Sequence, residues 1–135
     1  MLIKRVTDDV AVAGQIRPGD LPEIAAAGYR ALICNRPDGE EPGQPTYGEI
    51  AAAAAAAGLE IRNVPVRNGA MTTAHVVQFG EALAGLPKPV LAYCRSGTRS
   101  ITLWSLAEAE SRPAAEIVEL TGKAGYDMSG VLQRR

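Results

Sequence analysis

The 135-residue chain predicts an α/β fold, a central and mostly parallel sheet flanked by helices. Two observations carry that expectation. Short apolar runs alternate with helix-patterned segments along the whole length, and nearly every boundary between them bears a capping, glycine or proline signal. No linker or internal repeat interrupts the alternation, so residues 1–135 read as a single domain, long enough to bury a real core.

Taken in order, residues 3–6 and 10–16 read as strands. Asp20, Leu21, Pro22 and Glu23 then place an acidic cap three residues before a glutamate and open a helix that Gly28 closes. Residues 29–34 form the next strand, and residues 35–45 are too rich in Pro and Gly for regular structure. Thr46 and Glu49 form a second capping box, starting a helix through seven consecutive alanines to Gly58; alanine is the strongest helix former, so the run needs no further explanation. Residues 59–66 return as a strand and Asn68-Gly69 marks a turn. A threonine-capped helix over residues 74–84, a buried strand over 89–93, and helices over 99–110 and from Pro113 to Gly122 complete the series. The tail, residues 126–135, has room for one short helical turn.

Cys94-Arg95-Ser96-Gly97-Thr98-Arg99-Ser100 lies between the last strand and the helix after it. A buried strand ending in Cys, then small residues, then a helix start, aims consecutive backbone N–H groups at the space above the sulfur. Such a start, with arginines beside it, favours thiolate over thiol and suits nucleophilic attack by sulfur. Arg99 supplies a planar fork for two oxygens of a tetrahedral anion, with Arg95, Ser96, Gly97 and Thr98 completing an anion-binding loop. Ser100 is placed to donate to the sulfur, and Gly97 gives the loop its conformational freedom. The bland alternative, an inert core Cys94 with two solvated arginines, accounts for less of this combination.

In parallel sheets ligands bind beyond the carboxyl ends of the strands, which brings residues 35–45 and 67–72 towards Cys94. Arg36, Asp38 and Arg67 therefore become secondary candidates, each with simple solvation as its alternative. Cys34, also at a strand end, has a resolving thiol as its functional reading and core packing as its plain one. His75 reads as a surface residue and Trp104 as packing behind the loop.

Composition narrows the partners. The net charge of −1 argues against nucleic acid or an anionic membrane. No apolar stretch is long enough to span a bilayer, and no secretory signal opens the chain. Two cysteines, 60 positions apart and outside any CxxC pattern, fit a reducing, cytoplasmic setting. One His and no Cys cluster give no metal set, and no cofactor is expected.

The Cys-Asn-Arg-Pro-Asp-Gly stretch at residues 34–39, the Cys94 loop and the ending Ala124-Gly125-Tyr126-Asp127-Met128-Ser129-Gly130 together carry a resemblance. The chain resembles cysteine phosphatases of the dual-specificity type, and more closely the bacterial beta-lactamase-hydrolase-like phosphatase-like domains, some of which are described as sulfur transferases. That resemblance implies a cysteine-phosphatase-like fold with Cys94 as nucleophile and Arg99 as the anion-binding arginine. Two departures bear on the chemistry. Such phosphatases place five residues between Cys and Arg, usually with His before the Cys; here four residues intervene and Tyr93 precedes, a ring that resembles the rhodanese sulfurtransferases. The phosphatases also supply an Asp from the loop before the Cys strand to protonate the leaving alkoxide, whereas residues 67–72 contain no acid. Asp38 is the best substitute, with Glu40 and Glu41 behind it.

Three readings follow. The first is a Cys94-dependent sulfurtransferase or persulfide-handling enzyme acting on a small anionic donor such as thiosulfate or a persulfide, with a thiol acceptor or partner enzyme receiving the sulfur. The second is phosphate ester hydrolysis through a Cys94 phosphothiol with Asp38 as acid; the third is a non-catalytic module for an anion or phosphopeptide.

Overall fold

A computed structural model describes residues 1–133; the last two residues of the expected tail helix lie outside the described range. The sheet has five strands, β1 (Ile3–Arg5), β2 (Val10–Ala13), β3 (Ala31–Cys34), β4 (Glu60–Asn63) and β5 (Val90–Tyr93), in the order β1-β2-β5-β3-β4. All neighbouring pairs are parallel except β1 with β2. The helices are α1 (Leu21–Ala26), α2 (Tyr47–Ala56), α3 (Thr73–Gly85), α4 (Thr98–Glu108), α5 (Ala114–Lys123) and α6 (Ser129–Gln133). The predicted α/β class, a mostly parallel sheet with helices around it, is what the chain adopts.

β5 is central, with β2 and β3 as its parallel neighbours, so Ala13, Cys34 and Tyr93 end at one level. Every residue of these three strands is buried, which is why they read as continuous apolar runs rather than alternating ones. The core accordingly has two halves, one on each face of the sheet. Val12, Ile33 and Ala92 pack towards Phe79, Ile101 and Trp104 on one side; Leu32, Leu91 and Tyr93 pack towards Ile24, Ile50 and Ala54 on the other. The edge strands differ. β4 exposes Glu60, Arg62 and Asn63 and β1 exposes Arg5, and charge at a sheet edge discourages pairing with another chain.

The strands are shorter than the apolar runs that predict them. The run over residues 10–16 leaves the sheet after Ala13 because Gly14 packs against the Cys94 loop, where a Cβ would lie 2.8 Å from the Arg95 carbonyl oxygen. The run over residues 59–66 pairs only to Asn63, after which Val64 and Val66 bond to the carbonyls of Cys34 and Asn35. The Thr46–Glu49 capping box forms at α2, and the threonine cap expected at α3 is Thr72, paired reciprocally with His75. The acidic cap at α1 does not: Asp20 turns back and accepts from the Arg17 N–H at 2.8 Å, closing a 3-10 turn over Pro18–Asp20.

Trp104 lies behind the Cys94 loop on α4 and is fully enclosed. Trp104→Ala is expected to cost about 3–5 kcal/mol, read as a lower urea midpoint at unchanged m-value.

Candidate functional site

β5 hands the chain directly to Cys94, and α4 begins four residues later, so the loop between them is short and tightly held. Gly97 has φ +90°, which an L side chain rarely adopts, and a Cβ there would collide with the Tyr126 hydroxyl. That turn brings the Gly97 N–H to 3.1 Å from the Cys94 sulfur, the geometry expected for a backbone cradle of a negative sulfur. Cys94 is only 1% exposed.

Neighbouring elements fasten the loop from both sides. The Gln15 N–H donates to the Arg95 carbonyl at 3.2 Å, and the Tyr126 hydroxyl donates to the Ser96 carbonyl at 2.9 Å. The Lys4 ammonium stands 4.6 Å above the Tyr126 ring. Ser96 and Thr98 hydroxyls lie 3.1 Å apart at the exposed tip.

Arg99 turns into the protein with its side chain 9% exposed. Nη1 and Nη2 donate to the two Glu40 carboxylate oxygens at 2.8 and 2.9 Å, and Nη1 also donates to the Val66 carbonyl at 2.8 Å. Arg36, 2% exposed, joins the same carboxylate through Nε at 2.9 Å and reaches Gln15 and Glu41 through its other nitrogens. Glu41 in turn lies 3.7 Å from Arg95. Hydrogen bonds from Arg99, the largest influence, and from Arg36 lower the Glu40 pKa from 4.5 to about 2, against the opposing effect of burial. The Arg36 hydrogen bond likewise holds Glu41 below its usual range.

The remaining sequence candidates divide. Arg36, Asp38, Glu40, Glu41, Arg67, Asn68 and Arg95 line one open cleft of about 580 Å³, as the strand-end rule anticipates. Asp38 is committed to structure: its Oδ1 accepts the Tyr47 N–H at 2.7 Å, at the start of α2. Ser100 is fully buried and donates to Asn35 Oδ1 at 2.8 Å, rather than to the sulfur. Asn35 completes that anchor by donating to the Val64 carbonyl at 2.9 Å. Cys34 is a free, buried thiol that donates to the Arg36 carbonyl at 3.4 Å, and burial pushes its pKa up. Among the described residues no three His, Cys, Asp or Glu side chains cluster as a metal set, and no helix is long and apolar enough to cross a membrane.

Sequence reasoning ranked Glu40 as a reserve acid and did not single out Gln15, Asn35 or Tyr126. Asn35 and Tyr126 carried a signal only through their places in the Cys-Asn-Arg-Pro-Asp-Gly stretch and the Ala124-Gly125-Tyr126 ending. All three act through contacts between segments distant in the chain.

A thiol set in a backbone cradle at the end of the central strand, with an arginine from the first turn of the next helix, defines a protein of cysteine-phosphatase-type fold. The chain belongs to the family of the beta-lactamase hydrolase-like protein, phosphatase-like domain, whose model matches residues 3–111. It is 38% identical over 126 residues to the beta-lactamase hydrolase-like protein of Agrobacterium fabrum, covering 92% of this chain and 29% of that one. A similar match to the Xylella fastidiosa protein covers 95% and 30%, so the chain spans under a third of the curated relatives' length. Among solved structures, a candidate phosphatase from Neisseria meningitidis Z2491 superposes with TM-score 0.87 at 32% identity, covering 99% of this chain and 96% of that one.

The Glu40 geometry fixes a pH dependence. A folded-state pKa below the unfolded value of 4.5 adds stability that is fully present above pH 4.5 and is lost as pH falls through about 2. Urea midpoints of the wild type and Glu40→Gln should therefore differ most near neutrality and converge as pH drops across that window. Ser100→Ala, which strips a buried Asn35 oxygen of its donor, should cost about 1–3 kcal/mol in the same assay, whereas Ser96→Ala at the exposed tip should cost little.

Proposed function

We propose that the chain is a Cys94-dependent sulfurtransferase of phosphatase-type fold. The observation that carries this reading is the state of the carboxylates around the sulfur. Glu40 is held ionised between Arg99 and Arg36, and Asp38 is occupied at the start of α2. Hydrolysis of an alkyl phosphate requires a proton for the departing alkoxide, and neither group is disposed to give one. Sulfite and thiolates leave without that help.

In the proposed reaction the Cys94 thiolate attacks the outer sulfur of thiosulfate or a persulfide. The donor's S–S bond breaks, sulfite or a thiolate departs with the bonding pair, and the sulfur remains on Cys94 as a persulfide. The Gly97 N–H, 3.1 Å from Sγ, steadies the charge on the attacking sulfur, and Arg99 contributes its positive charge nearby. A thiol then takes the outer sulfur and regenerates Cys94. Four residues between Cys94 and Arg99, one fewer than in the phosphatases, also support a small occupant above the sulfur.

A second reading, phosphomonoester hydrolysis through a Cys94 phosphothiol, draws support from the family description and the Neisseria structure. Without a free acid it would be confined to aryl phosphates, whose leaving groups need little protonation.

Intact mass of the reduced protein after incubation with thiosulfate or cysteine persulfide, beside Cys94→Ser, tests the first reading. Gain of one sulfur by the wild type alone, from at least one of the two donors, is expected; transfer surviving in Cys94→Ser would defeat it. For the second, aryl phosphates should turn over at least about 100-fold faster than alkyl phosphates and Asp38→Asn should leave aryl turnover nearly unchanged; alkyl turnover that Asp38→Asn abolishes would instead make Asp38 the acid and remove the observation behind the first reading.

A further inference from the structure

Arg99 is the arginine whose charge bears on Cys94, and a carboxylate of the same chain already fills its guanidinium fork. Both fork nitrogens bond to Glu40 at 2.8 and 2.9 Å, and Arg36 adds a third bond at 2.9 Å. A carboxylate and one edge of a phosphoryl or sulfonate group offer a guanidinium the same pair of oxygens. Glu40 thus occupies the position that an incoming tetrahedral oxyanion needs. Glu41 extends the arrangement by pairing with Arg36 at 3.0 Å and lying 3.7 Å from Arg95.

We propose that Glu40 is a charge filter: it turns tetrahedral dianions, phosphate monoesters and thiosulfate alike, away from Cys94 and admits organic persulfides, whose reacting sulfur needs no oxyanion fork. The proposal rests on the sulfur-transfer reading and narrows its donor. A dianion reaching Arg99 must break both of its bonds to Glu40 and then share the site with the displaced carboxylate. One that stops short lies beside a fixed negative charge. Both penalties grow with the charge of the visitor, and the reacting end of a persulfide carries at most one negative charge.

The admitted step balances without a further reagent. The Cys94 thiolate attacks the outer sulfur of R–S–SH, the S–S bond breaks, R–S⁻ departs with the bonding pair, and Cys94–S–SH remains. Any carboxylate on R meets Arg95, whose side chain is 65% exposed, or the exposed Arg67, both on the cleft wall. Arg99 keeps its place on Glu40 and Val66 throughout.

The test follows alkylation of Cys94 by iodoacetamide at rising inorganic phosphate in wild type, Glu40→Gln and Glu40→Asp, with folding verified by circular dichroism. Wild type is expected to keep its rate within about twofold up to roughly 20 mM phosphate, Glu40→Gln to reach half-protection at a concentration at least about tenfold lower, and Glu40→Asp, which keeps the charge, to follow wild type. Reaction with thiosulfate, relative to cysteine persulfide, should rise by about tenfold or more in Glu40→Gln. A folded Glu40→Gln protein that phosphate protects no better than wild type overturns the filter. So does a wild type half-protected below about 1 mM phosphate, which decides the matter even if Glu40→Gln fails to fold. Phosphate protection requires no sulfur transfer, so the filter and the sulfur reading fail separately: protection that appears only in Glu40→Gln, with no sulfur uptake from either donor, retains the filter and removes the chemistry.

Discussion

Two almost fully buried arginines share one carboxylate, and the upper end of the molecule is organised around that fact. Arg36 comes from the loop after β3 and Arg99 from the first turn of α4, so Glu40 between them ties the central strands' loops together. Burying two guanidinium groups at 2% and 9% exposure without a counter-charge would be costly, and removing one partner from such a cluster leaves the others buried and uncompensated. Glu40 and Glu41 supply the charge from adjacent positions, and Gln15 and the Val66 carbonyl absorb donors that the carboxylates leave over. The loop of residues 36–41 is therefore fixed by electrostatics rather than by packing, which explains how a segment rich in Pro, Gly and charge acquires a defined shape.

The backbone cradle at Cys94 depends on different forces. Its shape comes from a left-handed Gly97 and from hydrogen bonds by Gln15 and Tyr126, and its footing from Ser100 on Asn35. Ion pairs thus set the surroundings of the sulfur, while neutral hydrogen bonds and close backbone approach set the sulfur itself. The two systems meet at Arg99, which stands in the first turn of α4 and ends on Glu40.

The fold was legible because its signals are local. Three fully buried strands print as apolar runs, threonine caps mark the starts of α2 and α3, and Pro113 marks the start of α5. The strand ends were less so, since Gly14 leaves β2 in response to the Arg95 carbonyl, a partner more than 80 positions away. The same distinction runs through the site. Cys94, Gly97 and Arg99 stand in one short motif and could be read from it. Glu40 reads in the sequence only as a reserve acid behind Asp38, because nothing in its immediate sequence reveals that Arg99, 59 positions on, will turn inward to meet it. Ser100 was assigned to the sulfur for want of any sign that Asn35 would claim it. Asp38 was likewise visible as a carboxylate near the site, but not as the group that receives the first N–H of α2.

Tyr126 gives the molecule a boundary different from the one its family match suggests. That match closes at residue 111, before α5 and α6, yet the hydroxyl that pins the Cys94 loop belongs to the segment joining those two helices. Ile117, Met128 and Leu132 from the same region are buried in the core half beneath α4. When this unit is recombined with other domains, as its longer relatives invite, the cut that preserves the sulfur's surroundings falls after α6. A module trimmed to the matched span would keep every residue of the Cys94 loop and lose the post against which that loop is braced.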